Sequence, residues 1–137
     1  GNAVMKQPGI IFANASSGTY YIVVNHRNTL ETWSKAGGEV YTAGSSLSFN
    51  FNLDSSQTFG KNVIRVLSSP LTFALYNGDA NQDKIIDASD LSTVENDIAN
   101  SVTGYVKSDI TGDDFVDAGD LSIVENNASN SVAAISP

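Results

Sequence analysis

These 137 residues predict an α+β fold, and three features carry that expectation. Residues 1–76 contain short runs rich in β-branched and aromatic residues, several alternating apolar and polar with period two, which is a strand pattern. Residues 79–132 contain a duplicated unit in which apolar residues recur at helical spacing. Charge changes at the same border: residues 1–76 carry five basic and three acidic side chains, a net +2, and residues 77–137 carry two basic and twelve acidic, a net −10. A boundary at Tyr76–Gly78 follows, with an N-terminal strand domain over 1–77 and a loop-and-helix domain over 78–137.

In the first part the expected strands are "TYYIVVNH" (19–26), "TLETWS" (29–34), "LSFNFNL" (47–53), "NVIRVL" (62–67) and "LTFALY" (71–76), separated by Gly, Ser and Asn clusters. Five or six short strands imply a small antiparallel β-sandwich. The alternation in "LSFNFNL" is strict, so Leu47, Phe49, Phe51 and Leu53 are expected to face inward.

Sliding the second part on itself by thirty residues sets "DANQDKIIDASDLSTVENDIANSV" (79–102) over "DITGDDFVDAGDLSIVENNASNSV" (109–132), with thirteen of twenty-four positions identical. Leu91, Val94 and Ile98, and equally Leu121, Val124 and Ala128, fall at i, i+3 and i+7. Each unit is therefore an acidic loop followed by a short amphipathic helix, with Gly104 expected to stop the first.

The acidic loops match the donor spacing of a calcium loop, which supplies six to eight oxygens from positions 1, 3, 5, 7, 9 and 12. In the first loop these are Asp79, Asn81, Asp83, the Ile85 carbonyl, Asp87 and Asp90. In the second they are Asp109, Thr111, Asp113, the Phe115 carbonyl, Asp117 and Asp120. Two Ca²⁺ ions are thus expected, since so many like charges in twelve residues repel without a cation. A metal-free explanation covers only part of each loop: Asp87 as N-cap and Asp90 near the third helical position suit a helix dipole, but Asp79, Asn81 and Asp83 stay unexplained.

Duplicated D-x-[NT]-x-D-x-x-x-D-x-x-D loops, each followed by one helix with no entering helix, resemble the dockerin family over residues 78–134. The resemblance implies a half EF-hand pair with two calcium ions, two helices in pseudo-twofold packing, and a non-catalytic extracellular plug that docks onto a cohesin-like domain. Position 6, often glycine in such loops, is Lys84 and Asp114. Thr111 offers a hydroxyl in place of an amide or carboxylate, so the second site is expected to be the weaker. The segment "GTYYIVVNHRNTLETWS" (18–34) resembles a module of secreted, Bacteroidetes-like multidomain proteins that precedes such paired loops. That likeness implies a sandwich incomplete at its N-terminus, with an open strand edge.

Composition narrows the remaining functions. The acidic second part offers no cationic stripe to nucleic acid or anionic membranes. Cysteine is absent, which excludes disulfides and thiolate metal sites. No apolar run is long enough for a membrane-spanning helix, so membrane insertion is not expected. The start, Gly1-Asn2-Ala3-Val4-Met5, has no leader pattern and reads as a mature or excised piece of something larger, which the resemblance implies is a secreted or cell-surface protein. His26, Arg27 and Asn28 lack a neighbouring nucleophile and read as a hydrogen-bonding cluster at a strand end, not as an enzyme site. Three binding modes are expected for an accessory module: a protein partner on Leu91, Val94, Leu121 and Val124; strand addition from a neighbouring chain or domain at an open sheet edge; or polysaccharide stacking on Trp33, Tyr20, Tyr21 and Tyr41.

Overall fold

A computed structural model describes residues 14–137. In chain order the elements are β1 (Gly18–Tyr20), β2 (Val23–Val24), β3 (Thr32–Trp33), β4 (Glu39–Tyr41), 3₁₀ turns at Ser55–Gln57 and Phe59–Lys61, β5 (Ile64–Ser68), β6 (Leu71–Ala74), α1 (Ala88–Ala99) and α2 (Ala118–Ser129). Antiparallel strands followed by two helices make the fold α+β. Among the described residues no helix is long and apolar enough to cross a membrane.

Among the described residues the strands pair as three separate two-stranded antiparallel sheets, β1–β4, β2–β3 and β5–β6, in place of the two larger sheets expected of a sandwich. The expected strand 19–26 breaks into two short ones that pair with different partners. "LSFNFNL" forms no strand, although its alternation is strict. A period-two pattern specifies faces, but a strand also needs a ladder. Here only the Asn52 carbonyl finds β6, accepting from Phe73 N–H at 3.0 Å. Leu47 and Leu53 are exposed, while Phe49 and Phe51 pack edge to face on each other at 4.8 Å.

Both helices start as expected. Asp87 and Asp117 are N-caps, and Asp90 and Asp120 return a carboxylate to the cap N–H, completing a capping box at each. The stop differs from expectation: α1 ends at Asn100 with Ser101 at φ +51°, four residues before Gly104, and α2 repeats this with Asn130 and Ser131 at φ +53°. Polar residues in the left-handed region end both helices without glycine.

The two units exchange backbone hydrogen bonds reciprocally. Ile86 N–H donates to the Val132 carbonyl and Val116 N–H to that of Val102; Ala134 N–H donates to Lys84 and Gly104 N–H to Asp114. Each loop is thus braced by the segment that follows the other unit's helix. The core has the same duplication, pairing Ala80 with Ile110, Ile86 with Val116, Val94 with Val124 and Val102 with Val132.

One buried side chain of this core, Leu30, comes from the strand region and is fully enclosed. Residues 28–30 run antiparallel to 76–78: Leu30 N–H donates to the Tyr76 carbonyl and Gly78 N–H to that of Asn28. Gly78, at φ +118°, lets this segment also pass close to α2, since a Cβ there would lie 3.3 Å from Val124 Cγ2. At the far end Asn62 Nδ2 donates to the Ala133 carbonyl at 3.0 Å. The hydrophobic core therefore crosses the border drawn at residue 77.

Candidate metal centre

In the first loop, carboxylate oxygens of Asp79, Asp83 and Asp90 lie within 4.8 Å of one another. Asp79 and Asp90 are buried; Asp83 is exposed. Local hydrogen bonds hold this geometry. Asp90 Oδ1 accepts from Asn81 N–H and Oδ2 from Asp87 N–H, both at 3.0 Å. Asp79 Oδ2 accepts from Lys84 N–H at 3.2 Å, and Asp83 Oδ1 from Ile85 N–H at 3.0 Å. Lys84 at φ +76° and Gln82 at φ +63° make the turns, a cost that glycine would avoid.

Asp79 Oδ1 is buried with no hydrogen-bond partner, although buried polar atoms are nearly always paired. Burial raises the Asp79 pKa above the usual carboxylate range, and the neighbouring Asp90 and Asp83 charges raise it further. A divalent cation among these oxygens would remove both penalties. The residues present therefore fit a calcium ion.

The remaining expected donors are placed less evenly. Asp87 Oδ1 accepts from the N–H and hydroxyl of Ser89, both at 2.7 Å, and these bonds lower its pKa and keep it ionised. Asn81 Nδ2 donates to Ser89 Oγ at 2.6 Å and to Asp83 Oδ2 at 2.9 Å. Ser89 thus ties positions 3 and 9 together. Sequence reasoning missed it, although Gly119 at the matching place in the second unit was a visible signal. Ile85 and Phe115 pair as isolated bridges with Ala133 and Thr103, while the ladder bonds fall on their neighbours. Among the described residues no hydrogen bond reaches either position-7 carbonyl.

The second loop repeats the framework without the convergence. Asp120 Oδ1 accepts from Ile110 and Thr111 N–H at 2.8 Å, and Oδ2 from Asp117 N–H at 2.8 Å. Asp113 Oδ1 accepts from Phe115 N–H, and Asp117 Oδ1 from Gly119 N–H. Asp109 is spent differently from Asp79. Its Oδ1 accepts from Gly112 and Asp113 N–H at 2.7 and 3.1 Å, and its Oδ2 faces Arg27 Nη2 at 3.3 Å. Among the described residues, the three acids of the first loop are the group of three carboxylates close enough to share an ion.

The expected contact residues fare unequally. Val94 and Val124 are fully buried and offer nothing to a partner; they are core, because i, i+3, i+7 marks whichever helix face is apolar and not what covers it. Leu91 and Leu121 are half-buried against the same core. The aromatic residues form separate edge-to-face groups, Tyr20 with Tyr41 and Tyr21 with Trp33 and Phe59. Trp33 is half-buried, and its indole N–H donates to Glu31 Oε1 at 2.8 Å. Glu31 also pairs with Lys84 at 3.1 Å, which links the aromatic group to position 6 of the first loop. Of the expected cluster, His26 Nδ1 pairs with Asn28 Oδ1 at 3.2 Å, the His26 carbonyl accepts from Gln82 Nε2 of the first loop, and Arg27 and Asn28 are directed at the second loop.

No family model matches the chain, and comparison with curated proteins and with solved structures finds no match.

Proposed function

We propose that this chain is a non-catalytic, calcium-stabilised accessory module of a secreted or cell-surface protein, used for protein–protein attachment or assembly. The observation that carries the reading is the first loop: three carboxylates converge on one point, and a buried Asp79 oxygen there has no partner. The second loop, with the same spacing and weaker donors, takes a second ion at higher calcium. In this reading the paired loops form a dockerin-like unit, supported by the reciprocal bracing of the two repeats. Folding and calcium binding are coupled, because the acidic loops repel themselves when bare.

Attachment falls to the strand region more than to the helix faces. Ile64, Val66, Leu67 and Leu71 on the β5–β6 hairpin are exposed, and among the described residues a single backbone bond from outside the hairpin, Phe73 N–H to the Asn52 carbonyl, reaches an edge of this two-stranded sheet. This favours strand addition by a neighbouring chain or domain over a cohesin-like partner gripping Val94 and Val124. Carbohydrate stacking on Trp33 has less support, because the ring is half-buried and its N–H is engaged.

Isothermal titration with calcium tests the reading. Binding with a dissociation constant of about 10⁻⁴ to 10⁻⁶ M is expected, with the tighter phase lost in Asp79→Ala. No calcium heat from the folded protein would falsify it.

A further inference from the structure

The thirty-residue repeat provides an internal control, because Asp79 and Asp109 hold the same loop position in different surroundings. Asp79 keeps one buried oxygen free and, among the described residues, has no ion-pair partner. Asp109 has neither oxygen free. Arg27 Nη2 lies 2.8 Å from the Asp109 carbonyl oxygen and 3.3 Å from Oδ2, and Asn28 Nδ2 donates to the same carbonyl at 2.7 Å. The guanidinium is itself held in place, with Cζ 3.8 Å from the centre of the Tyr105 ring, and the pair is largely withdrawn from water, at 15% and 1% side-chain exposure.

We infer that Arg27 is a built-in competitor for the second calcium loop: a fixed cation from the strand region that occupies the Asp109 carboxylate and sets the affinity of that loop below that of the first. The inference rests on the calcium reading above and extends it to the ordering of the two sites. A guanidinium beside Oδ2 repels a divalent ion only a few ångströms away, and the shielded position preserves that repulsion against salt. To load the loop, calcium must draw Asp109 from Arg27 or bind with the carboxylate half-neutralised. Asn28 holds the Asp109 carbonyl independently, so removing Arg27 frees the carboxylate while the segment stays attached. The second loop is thereby also a report of how residues 26–28 are docked.

A calcium titration followed by ¹H–¹⁵N NMR on the whole chain separates the sites, with Lys84 N–H reporting the first loop and Gly112 N–H the second. In the unmodified protein Lys84 should titrate at lower calcium than Gly112. In Arg27→Gln the Gly112 midpoint should fall by about tenfold with Lys84 unmoved, and Arg27→Lys should lie between. The Arg27 side-chain Nε–H signal of the unmodified protein should shift in step with Gly112, a readout that needs no variant. A Gly112 midpoint unchanged or raised in Arg27→Gln, or an Arg27 signal that stays still while Gly112 titrates, overturns the inference and leaves the calcium reading intact. If neither amide responds to calcium in any form, both fail.

Discussion

The two parts of this molecule reach order by different means. The repeat region supplies its own partners: apolar residues of its core pair across the units as Ala80 with Ile110, Ile86 with Val116, Val94 with Val124 and Val102 with Val132, and each loop is braced by the other unit's tail. The strand region has, among the described residues, three two-stranded sheets and a surface that exposes Val40, Leu53, Val66 and Leu67. Its most enclosed apolar side chain, Leu30, is buried in the repeat core and not among its own strands. Duplication gives a short chain a closed set of complementary surfaces, whereas short strands need more strands, or a neighbour, to close theirs.

Leu30→Ala gives the largest expected effect and tests whether the parts are one cooperative unit. Removing a fully buried leucine costs about 2–5 kcal/mol. In urea unfolding, Trp33 fluorescence reports the strand region and far-ultraviolet circular dichroism the helices. Both midpoints should fall together; a drop in the fluorescence transition alone would show that the repeat core does not depend on Leu30.

A pH series in calcium and in chelator sharpens the comparison from the other side. Burial and the neighbouring acids raise the Asp79 pKa in the folded state. Without calcium, the Asp79 contribution to stability is complete below the ordinary carboxylate pKa of about 3.9 and is lost as pH rises through the raised folded value. With calcium the ionised form is required, so affinity falls as pH drops through that same value. Melting midpoints in neutral and mildly acidic buffers should therefore depend on pH with opposite sign in the two conditions. The same dependence in both would mean that Asp79 does not meet the ion.

The smallest expected effect lies in the second loop. Asp114 is exposed at φ +70°, where a side chain is strained. Asp114→Gly should stabilise by about 0.5–1 kcal/mol after the extra freedom of glycine in the unfolded chain is subtracted. A loss of stability in thermal melts would show that the Asp114 carboxylate does something its exposure does not reveal.

What could be read in advance followed the range of the interactions. The helices and caps were legible because Asp87, Asp90, Leu91 and Val94 act within a few residues of one another, and the thirty-residue period exposed the loops. The strands were legible only as tendencies. β4, at Glu39–Tyr41, was missed, although Gly37-Gly38 ahead of it marked the turn; Gly38 sits at φ +69°, where a Cβ would come 2.9 Å from the Tyr20 carbonyl. "LSFNFNL" was overread because alternation does not create a partner strand. At the site, the donor spacing was visible, but the difference between the loops was not: Arg27 and Asp109 are 82 residues apart. No local pattern announces such a contact.

The most direct test of the central claim, that the acidic loops are calcium sites holding the repeat region folded, is thermal unfolding in millimolar calcium, in magnesium and in excess chelator. At a hundred times its dissociation constant one bound ion adds about 2.7 kcal/mol, so a calcium-specific rise of roughly 5–15 °C is expected, with the helical signal lost at correspondingly lower temperature in chelator. Identical melting in all three conditions would contradict the account and leave the carboxylates as helix caps.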